Sequence, residues 1–467
     1  MPDSTSPVAN PARCPAPSIQ EIVRRDGQKI PDALALESDR SFGDEGVLYE
    51  RYTSAAFFSD EMELMWPRVW QWVCREEHIP EPGDYYVYDV GRHSVIVVRT
   101  GSGDIKAYVN ACLHRGTKLK PSASQGWTGK LACPFHGWTW SLEGKMVELP
   151  CSWDFPHVDK KEFGLPEAKV GTWGGFVFIN LDENAPPLEE YLAPLPEHFA
   201  RWDLSKRYVA LHIEKELPCN WKAAQEAFME SYHTMVTHPQ LLFALADVNT
   251  QYDVFGANIS RYYSASGVAS PNLESPPGEE ELLATMFVGD RSVVGETHRF
   301  EAGDTARSVM ARQLRATLGK LYQTDLSAYT DTEIIDTIGY GVFPNTTFFA
   351  GLSIPMVYRF RPLGRATDRA LFDLFFLRPL PDSGERPEPA APYRVGLDES
   401  WASVPGMDPD LAKVFDQDTS NMRLQQEGFE SSRKPAATLS RYQELRIRHF
   451  HDRLTDYCGT RMPERKA

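Results

Sequence analysis

Cysteine is scarce in this sequence. The 467 residues contain seven cysteines, an odd number with no regular spacing: Cys14, Cys74, Cys112, Cys133, Cys151, Cys219 and Cys458. A disulfide framework of the kind found in secreted domains uses an even set in a short chain. The pattern therefore argues against a disulfide-rich secreted protein and favours the reducing cytoplasm.

Positive charge and long apolar runs are also in short supply. The chain has 49 lysines and arginines against 65 aspartates and glutamates, which gives a net charge of -16. Nucleic acids and anionic membrane surfaces attract basic patches, so neither is an expected partner. Residues 1–18 are rich in Pro, Ser and Ala but lack the basic start and apolar run of a signal peptide or membrane anchor. We expect residues 1–45 to form a flexible leader.

No G-x-G-x-x-G motif follows a strand-like segment, so the sequence gives no sign of a nicotinamide or flavin domain. The rest of the composition is ordinary for a globular protein, with 42% hydrophobic and 24% charged residues. A chain of 467 residues is long enough for two or three domains.

Two short segments, 112–114 and 133–136, each combine one cysteine with one histidine. A Rieske [2Fe–2S] cluster needs this donor set, because two cysteines hold one iron and two histidines hold the other. A structural zinc site is the alternative, but zinc knuckles usually take both cysteines from one loop and both histidines from the other. Gly116, Gly137 and Trp138 follow the donors, which suits close backbone approach and a hydrophobic shell. The pattern predicts a Rieske cluster.

A second group of metal-binding side chains comes about a hundred residues later. Glu230, His233 and His238 lie within two or three helical turns of one another. The histidine interval is one residue longer than an ideal i, i+4 pair, so a bend near Thr237 and Pro239 is needed to aim both at one ion. Two histidines and one carboxylate, which need not be local, form the open ligand set of non-haem iron oxygenases. Histidine pairs on helices are more often structural, but the upstream cluster favours a metal site.

These motifs together resemble the catalytic α subunit of a Rieske non-haem iron oxygenase. The similarity spans most of the chain and includes the segments 134–138, 173–176, 220–222 and 418–431, but not the first fifty residues or 270–330. It implies an α+β fold with two parts. Residues 46–185 would form an N-terminal helix and a small antiparallel β Rieske domain, and residues 186–467 a helix-grip catalytic domain with a mononuclear iron.

The resemblance also implies the ligands. The cluster would be held by Cys112, His114, Cys133 and His136. Mononuclear Fe(2+) would be held by His233, His238 and an aspartate near the C-terminus. The family-like frame around this aspartate favours Asp418, with Asp416 as the alternative.

Glu230 resembles the carboxylate that, in this family, connects a cluster histidine of one subunit, here His136, with an iron-ligand histidine of the next, here His233. Many relatives have aspartate at this position, and many have asparagine where this chain has Ala227. The glutamate weakens a simple assignment as an arene dihydroxylase, and Ala227 leaves the polarity of the pocket open. Because the connection crosses a subunit boundary in relatives, the resemblance implies a homotrimer, and it leaves open whether a β subunit is present.

The expected function is oxidation of an organic molecule with O₂ and electrons from a separate NAD(P)H-dependent reductase, directly or through a ferredoxin. Five residues could line an apolar pocket, although such residues are more often plain core: Phe228, Met229, Phe343, Phe348 and Phe349. They favour a hydrophobic, preferably aromatic, substrate. Hydroxylation, cis-dihydroxylation and oxidative N- or O-dealkylation all stay open. The alternatives are an electron-transfer Rieske protein without oxygenase activity and a zinc-stabilised ligand-binding module.

The coarse secondary structure agrees with two domains. Apolar spacing predicts a helix leading into a strand over 59–73, and helices over 188–199, 221–238, 410–430 and 439–454. β-rich runs predict strands over 85–88, 94–98, 106–109, 175–180, 346–352, 356–361 and 371–378. Clusters of Pro, Gly and Glu predict loops over 271–280 and 382–392.

Overall fold

The structure, a computed structural model, describes residues 13–286, 300–380 and 386–459. The α-helices are α1 (Ile19–Arg25), α2 (Asp32–Ala35), α3 (Glu50–Thr53), α4 (Ala55–Asp60), α5 (Leu188–Leu192), α6 (Leu195–His198), α7 (Trp221–Glu226), α8 (Thr234–Thr237), α9 (Glu279–Met286), α10 (Ala306–Tyr322), α11 (Asp331–Ile335), α12 (Pro409–Ser420), α13 (Met422–Ser431) and α14 (Leu445–Cys458). None of the helices in these ranges has both the length and the apolar character needed to cross a membrane.

The strands of the first half are β1 (Val47–Leu48), β2 (Gln71–Arg75), β3 (Asp84–Val90), β4 (His93–Arg99), β5 (Ile105–Val109), β6 (Gln125–Trp127), β7 (Leu131–Ala132), β8 (Thr139–Trp140), β9 (Met146–Glu148), β10 (Glu167–Trp173) and β11 (Phe176–Asn180). Seven of them form an antiparallel sheet in the order β2-β11-β10-β5-β4-β3-β6, and β7, β8 and β9 form a small second sheet. Both faces of β4 are buried, because Val95 and Val97 belong to the main core while Ile96 and Val98 belong to a second apolar cluster.

The strands of the second half are β12 (Arg207–Leu217), β13 (Gln251–Phe255), β14 (Ile259–Ser264), β15 (Thr337–Val342), β16 (Thr346–Ala350), β17 (Met356–Pro362), β18 (Ala370–Pro379), β19 (Pro392–Val395) and β20 (Ala436–Ala437). Eight of them form one sheet in the order β13-β14-β15-β16-β17-β18-β12-β19, and β1 pairs with β20. Neighbours in the sheet are antiparallel except β12 and β19. Helix α7 lies against β17 and β18, and α14 against β13 and β14. The predicted α+β class with two antiparallel β domains is confirmed.

The two sheets share an apolar core. The Trp72 ring on β2 packs edge-on against Phe375 on β18, with the ring centroids 5.0 Å apart. Phe176 on β11 contacts Phe348 on β16 in the same way, also at 5.0 Å. Burial of such large rings is worth several kcal/mol, so the two domains dock through a hydrophobic interface.

A buried ionic cluster also joins the two domains. Asp373 on β18 accepts hydrogen bonds from Arg359 Nε at 2.9 Å and from Arg361 Nε at 3.0 Å. Arg359 also donates to the backbone carbonyl of Trp72 at 3.0 Å, and Arg361 to that of Asp89 at 2.7 Å. Burial opposes ionisation of Asp373, but the two arginines hold its pKa well below its ordinary value. One carboxylate thus pairs with two cations that reach into the first domain.

The described part of the predicted leader packs against the second domain, which corrects the expectation of a flexible segment over 1–45. Helix α1 begins at a capping box between Ser18 and Glu21 and buries Ile19 and other apolar residues. The Gln20 side chain donates to Gln251 on β13 at 2.9 Å. The helix is amphipathic, and its apolar face covers the edge of the sheet. Residues 1–12 lie outside the described ranges.

Several predicted elements differ in detail. The segment 59–73 contains the end of α4, a turn of π-helix at Glu61–Met65, a short 3-10 helix and the start of β2. The predicted helix over 188–199 is divided at Ala193 and Pro194 into α5 and α6, because proline cannot continue a helix that requires its N–H. The predicted loop over 271–280 is irregular until α9 begins at Glu279. Residues 382–385 of the other predicted loop lie outside the described ranges.

Candidate metal centres

The two Cys/His loops have the same local architecture. The first follows β5, and the second connects β7 to β8. Gly116 N–H donates to the Cys112 carbonyl at 2.9 Å, and Gly137 N–H to the Cys133 carbonyl at 3.2 Å. Both glycines have a left-handed φ, +76° and +73°, which side chains disfavour. The glycines noted in the sequence therefore close the turns that present the donors.

The loops place thiols inside and imidazoles outside. Cys112 and Cys133 are both 4% exposed, whereas His114 is half-buried and His136 is exposed. The His114 and His136 ring centroids are 4.7 Å apart, and His114 stacks on Trp138 at 5.1 Å. Burial raises the pKa of the Cys112 thiol, the His114 backbone N–H opposes this, and the adjacent Cys133 thiol adds to the rise. Two thiols on one side and two imidazoles on the other fit a Rieske cluster, because one iron takes sulfur ligands and the other takes nitrogen.

His136 has a contact at its outward nitrogen. Arg115 Nη2 lies 3.1 Å from His136 Nε2. The same guanidinium lies 4.6 Å from the centroid of the exposed Phe135 ring. A guanidinium can only donate, so His136 Nε2 is the acceptor in this contact.

The second centre is built on a broken helix. Sequence periodicity predicts one helix over 221–238, but α7 ends at Glu226 and α8 covers only Thr234–Thr237. His233 precedes α8 and His238 follows it, immediately before Pro239. The expected bend near Thr237 and Pro239 is present, and a second break lies between the two helices.

Three side chains converge at this break. His238 Nε2 lies 2.6 Å from Asp418 Oδ1, and His233 Nε2 lies 3.4 Å from the same oxygen. These three residues each offer one ligand atom, and the atoms all lie within 4.8 Å of one another. Asp418 comes from α12, 180 positions after His238. Two imidazole nitrogens and one carboxylate oxygen on one side of an ion leave other positions open, which fits a mononuclear ferrous site.

Both histidines are oriented through their other ring nitrogen. His233 Nδ1 lies 2.7 Å from Glu230 Oε1, and His238 Nδ1 lies 2.9 Å from Gln417 Oε1. Metal-binding histidines usually donate this N–H to a carboxylate or carbonyl oxygen, which fixes the tautomer. Gln417 was not predicted. Its contact with His238 depends on how α12 is oriented relative to the histidine. The sequence around Asp418 does not indicate this orientation.

The charges around the two histidines favour a bound cation. Burial lowers the pKa of His233, but hydrogen bonds to Asp418 and Glu230 outweigh this and raise it to about 10. The carboxylates therefore stabilise positive charge where the two Nε2 atoms meet. An ion bound there would replace the proton.

The alternative aspartate faces another partner. Asp416 accepts hydrogen bonds from Ser400 Oγ at 2.5 Å and from the Trp401 backbone N–H at 3.0 Å. The structure therefore brings Asp418 to the histidines and leaves Asp416 at a helix start on the other side of α12.

One more group of potential ligands lies close together in the described chain: His212, Glu214 and Asp373. This group does not suit a cation, because Asp373 is already paired with the two positive charges of Arg359 and Arg361. Its ionic partners identify it as part of the interdomain cluster.

The predicted pocket residues fall into three locations. Phe228 packs near Tyr358 and Phe415, with centroids 5.6 and 5.8 Å away, and Phe415 lies one turn before Asp418 on α12. Phe349 also contacts Tyr358, at 4.9 Å. These rings lie on the metal side of the sheet. Sequence analysis missed Tyr358 and Phe415, whose relation to the metal site depends on strand register and helix packing.

The remaining three candidates are not grouped with those rings. Phe348 follows the opposite face of β16 and packs against the first domain at Phe176. Phe343 packs against Phe450 of α14, and the Met229 carbonyl accepts a hydrogen bond from Arg446 at 3.0 Å.

A Cys₂His₂ loop pair in a small β domain and a His₂Asp triad beneath a larger sheet define a two-centre iron protein. Comparison with known families agrees. Residues 69–159 match the model for the Rieske [2Fe-2S] domain, and residues 198–460, more than half of the chain, match that for the ring hydroxylating alpha subunit, catalytic domain. The chain belongs to the family of Rieske-type ring-hydroxylating oxygenase α subunits. This assignment implies a [2Fe–2S] cluster and a mononuclear iron, and the donor sets described above fit both.

Individual relatives have different substrates in their names. The chain is 33% identical over 198 residues to the glycine betaine monooxygenase oxygenase subunit of Pseudomonas aeruginosa, a match that covers 42% of this chain and 45% of that protein. It is 34% identical to the benzene 1,2-dioxygenase α subunit of Pseudomonas putida, with 40% and 42% covered. The matched segments thus span less than half of these curated relatives.

Solved structures show the same fold over a longer range. A quaternary ammonium Rieske monooxygenase in complex with L-carnitine has a TM-score of 0.60 at 17% identity and covers 88% of this chain and 95% of its own. A naphthalene 1,2-dioxygenase mutant bound to phenanthrene has a TM-score of 0.62 at 19% identity, with 90% and 94% covered.

Proposed function

We propose that this chain is the oxygenase component of a two-part system that uses O₂ and electrons from a separate NAD(P)H-dependent reductase, directly or through a ferredoxin. The observation that carries the proposal is the convergence of His233, His238 and Asp418 in a domain distinct from the one with the Cys/His loops. A pure electron carrier needs only the cluster and gives no reason for the second donor set. We also infer a cytoplasmic location, which the lack of a disulfide bond at any of the seven cysteines supports.

In this proposal each protein group has a physical task. Cys112, His114, Cys133 and His136 would hold the cluster, and His233, His238 and Asp418 would hold ferrous iron. When bound, the cluster supplies electrons one at a time and the iron supplies O₂ activation. Gln417 and Glu230 hold the iron-site imidazoles in the tautomer that leaves Nε2 free. The rings of Phe228, Tyr358 and Phe415 exclude water from that side of the site.

We also propose a homotrimer in which Glu230 connects His233 with His136 of a neighbouring copy. Exposed apolar side chains support this assembly. Phe135 and Trp153 are 60% and 79% exposed on the cluster domain, while Tyr232 and Val236 beside the iron site are 54% and 86% exposed. Contact between such different surfaces is heterologous, and it forms a ring when the rotation between copies closes. A mass measurement would distinguish the homotrimer from an assembly that also contains a β subunit.

The substrate proposal is a small organic molecule with a hydrophobic, preferably aromatic, body. The aromatic side chains around Phe228 and Tyr358 support it. Aromatic rings also bind quaternary ammonium groups through cation–π attraction. Such compounds appear in the names of several relatives. A panel of benzene, biphenyl, anthranilate, glycine betaine and carnitine, with O₂ consumption and product mass as readouts, would separate the two classes. A mass gain of one or two oxygen atoms, or loss of a carbon fragment, would identify the reaction type.

Metal analysis tests the proposal directly. Purified protein should contain about three irons and two acid-labile sulfides per chain, with a Rieske-type EPR signal after reduction. Two irons after full reconstitution with Fe(2+) would support the electron-carrier alternative instead. Zinc without sulfide would contradict the oxygenase and support the zinc-stabilised module.

Glu230→Gln tests the proposed electron connection. The amide keeps the size of the side chain and one oxygen for His233 but removes the negative charge, so both metals should stay bound while turnover falls by about 10²-fold or more. The measurement is single-turnover reoxidation of the reduced cluster, with Glu427→Gln, an exposed change on α13, as the control. Reoxidation at the wild-type rate would exclude the connecting role.

A further inference from the structure

An exposed arginine at the cluster has no carboxylate partner. Arg115 follows His114 directly, and its guanidinium lies between His136 Nε2, at 3.1 Å, and the Phe135 ring, at 4.6 Å from the centroid. Within residues 13–286, 300–380 and 386–459, no aspartate or glutamate oxygen lies within ion-pair distance of Arg115. Nearby lysines of the same domain differ in this respect, because Lys118 pairs with Asp89 and Lys130 with Glu148.

The iron site has the complementary feature. Glu230 is only 11% exposed at its side chain, and its ion-pair partner within the described ranges is His233 alone. Among the residues that the structure describes, neither a lysine nor an arginine forms an ion pair with this carboxylate. A carboxylate that becomes fully buried in a subunit interface needs a cation, because desolvation of an unpaired charge costs several kcal/mol.

The proposed assembly brings these two groups together. If Glu230 of one copy reaches His136 Nε2 of the next, its carboxylate enters the space that Arg115 already borders at that nitrogen. When His136 binds the cluster through Nδ1, its Nε2 carries a proton. The carboxylate can then accept from the imidazole and from the guanidinium, which donates to the carboxylate in place of Nε2. Phe135 and Tyr232, both largely exposed, flank the two charges and would exclude water from them.

We propose that Arg115 of one copy forms an ion pair with Glu230 of the neighbouring copy and so holds the cluster domain against the iron site of its neighbour. This inference rests on the proposed function, because it takes the Glu230 connection between subunits as its starting point. Arg115 is a positioning residue: it fixes the carboxylate between the two histidines and contributes to assembly. The partner is a second copy of this chain.

A double-mutant cycle on the full-length, iron-loaded protein tests the pair. The variants are Arg115→Gln, Glu230→Gln and the double variant, and the readout is trimer dissociation measured by sedimentation across a concentration series. Each single change should raise the midpoint concentration for dissociation by about tenfold or more. The double variant should dissociate at no higher a concentration than the less stable single variant, because both single changes remove the same interaction.

The controls separate pairing from folding. Lys118→Gln removes a charge from the same loop but breaks only an intramolecular pair, so it should leave the trimer unchanged. Arg115→Lys keeps the charge and should retain most of the assembly. The Rieske EPR signal of each variant confirms that the cluster loops are intact, and added salt should weaken the wild-type trimer more than the double variant.

The outcomes distinguish this inference from the proposed function. A wild-type trimer that Arg115→Gln leaves unchanged, or effects that multiply in the double variant, would overturn the ion pair while the oxygenase proposal stands. A wild-type monomer with full metal content and turnover would overturn both the trimer and the pair. Non-additive loss of assembly with an intact cluster signal would support the pair.

Discussion

At the scale of single residues, two aspartates on α12 contact different partners because their side chains project from different faces of the helix. Asp418 meets His233 and His238, whereas Asp416 holds the start of a short helix through Ser400 and Trp401. The two are only two positions apart, so their side chains point to different faces of the helix. Composition and spacing do not distinguish them, and only the family resemblance of the surrounding residues favoured Asp418.

The difference leads to a metal-loss prediction. Asp418→Ala should remove the mononuclear iron, because the site loses one of three donors, and should leave the cluster signal at full strength. Asp416→Ala is the matched control and should keep three irons per chain, with at most a modest loss of stability from the helix start, about 1 kcal/mol. Iron and sulfide determination checks both. Loss of the cluster from the first variant, or of one iron from the second, would contradict the assignment.

Glu226 allows a prediction about pH. It accepts hydrogen bonds from Tyr52 Oη at 2.9 Å and lies 2.8 Å from His451 Nε2, and burial raises its pKa to about 8. The folded protein therefore retains a proton that the unfolded chain releases at its ordinary pKa of about 4.3. The stability contribution is fully present below that value and is lost as the pH rises towards 8.

Glu226→Gln resembles the protonated form and should remove this dependence. The free energy of unfolding of the wild type should fall relative to the variant by up to about 1.4 kcal/mol per pH unit within this window. Urea unfolding at a series of pH values measures the difference. Parallel curves for the two proteins would show that Glu226 is ionised throughout.

At the scale of elements, strand β15 depends on two glycines. A Cβ added at Gly339 would lie 2.2 Å from Cε1 of Tyr262, and one at Gly341 would lie 2.7 Å from Nη2 of Arg446. The Tyr262 ring and the Arg446 guanidinium therefore occupy the positions that side chains at 339 and 341 would need. Only glycine, which has no Cβ atom, fits at these two positions.

Gly339→Ala should lower the free energy of unfolding by about 1–3 kcal/mol, because the Tyr262 ring must move from a packed position. The matched change Gly428→Ala lies in the exposed interior of α13, where the added methyl group meets no atom within 4 Å. It should raise stability by up to about 1 kcal/mol. Urea unfolding compares the two variants, and an unchanged Gly339→Ala protein would mean that the strand relaxes freely.

These elements also show which parts of the fold could be predicted. Strands β16, β17 and β18 were predicted almost to their ends, since their β-branched and aromatic residues are typical of strands. β15 was not predicted, because its two glycines lower the strand propensity of the segment. They make room for the side chains of Tyr262 and Arg446, which belong to other elements.

The broken helix has a similar explanation. Residues 227–230 are good helix formers, but the Met229 carbonyl is bonded to Arg446, and the Ser231 N–H donates to Tyr252 Oη at 2.8 Å. Partners this distant in sequence replace helical hydrogen bonds, and no local pattern reveals them. The Cys/His loops were predicted because all of their donors lie within 25 residues and their turns close locally.

At the scale of the whole molecule, Asp373 connects the domains. Asp373→Asn would leave Arg359 and Arg361 buried without a counter-charge and should cost about 3–5 kcal/mol. The control Asp398→Asn affects an exposed pair with Arg423 and should change stability by less than about 0.5 kcal/mol. Unfolding followed by both tryptophan fluorescence and cluster absorbance should show a lower midpoint for Asp373→Asn alone. Equal unfolding midpoints for the two variants would contradict the role of the ion pairs of Asp373 in holding the two domains together.

The sequence separation of the two sets of metal-binding residues affects how the metal content of a purified sample should be assessed. The proposed cluster donors all lie between positions 112 and 136, whereas the proposed mononuclear site joins side chains 180 positions apart. Local loosening around α8 or α12 would release the single iron and leave the coloured centre in place. A deep red-brown preparation is therefore evidence for an intact first domain only, and specific activity should be expressed per mononuclear iron rather than per unit of colour.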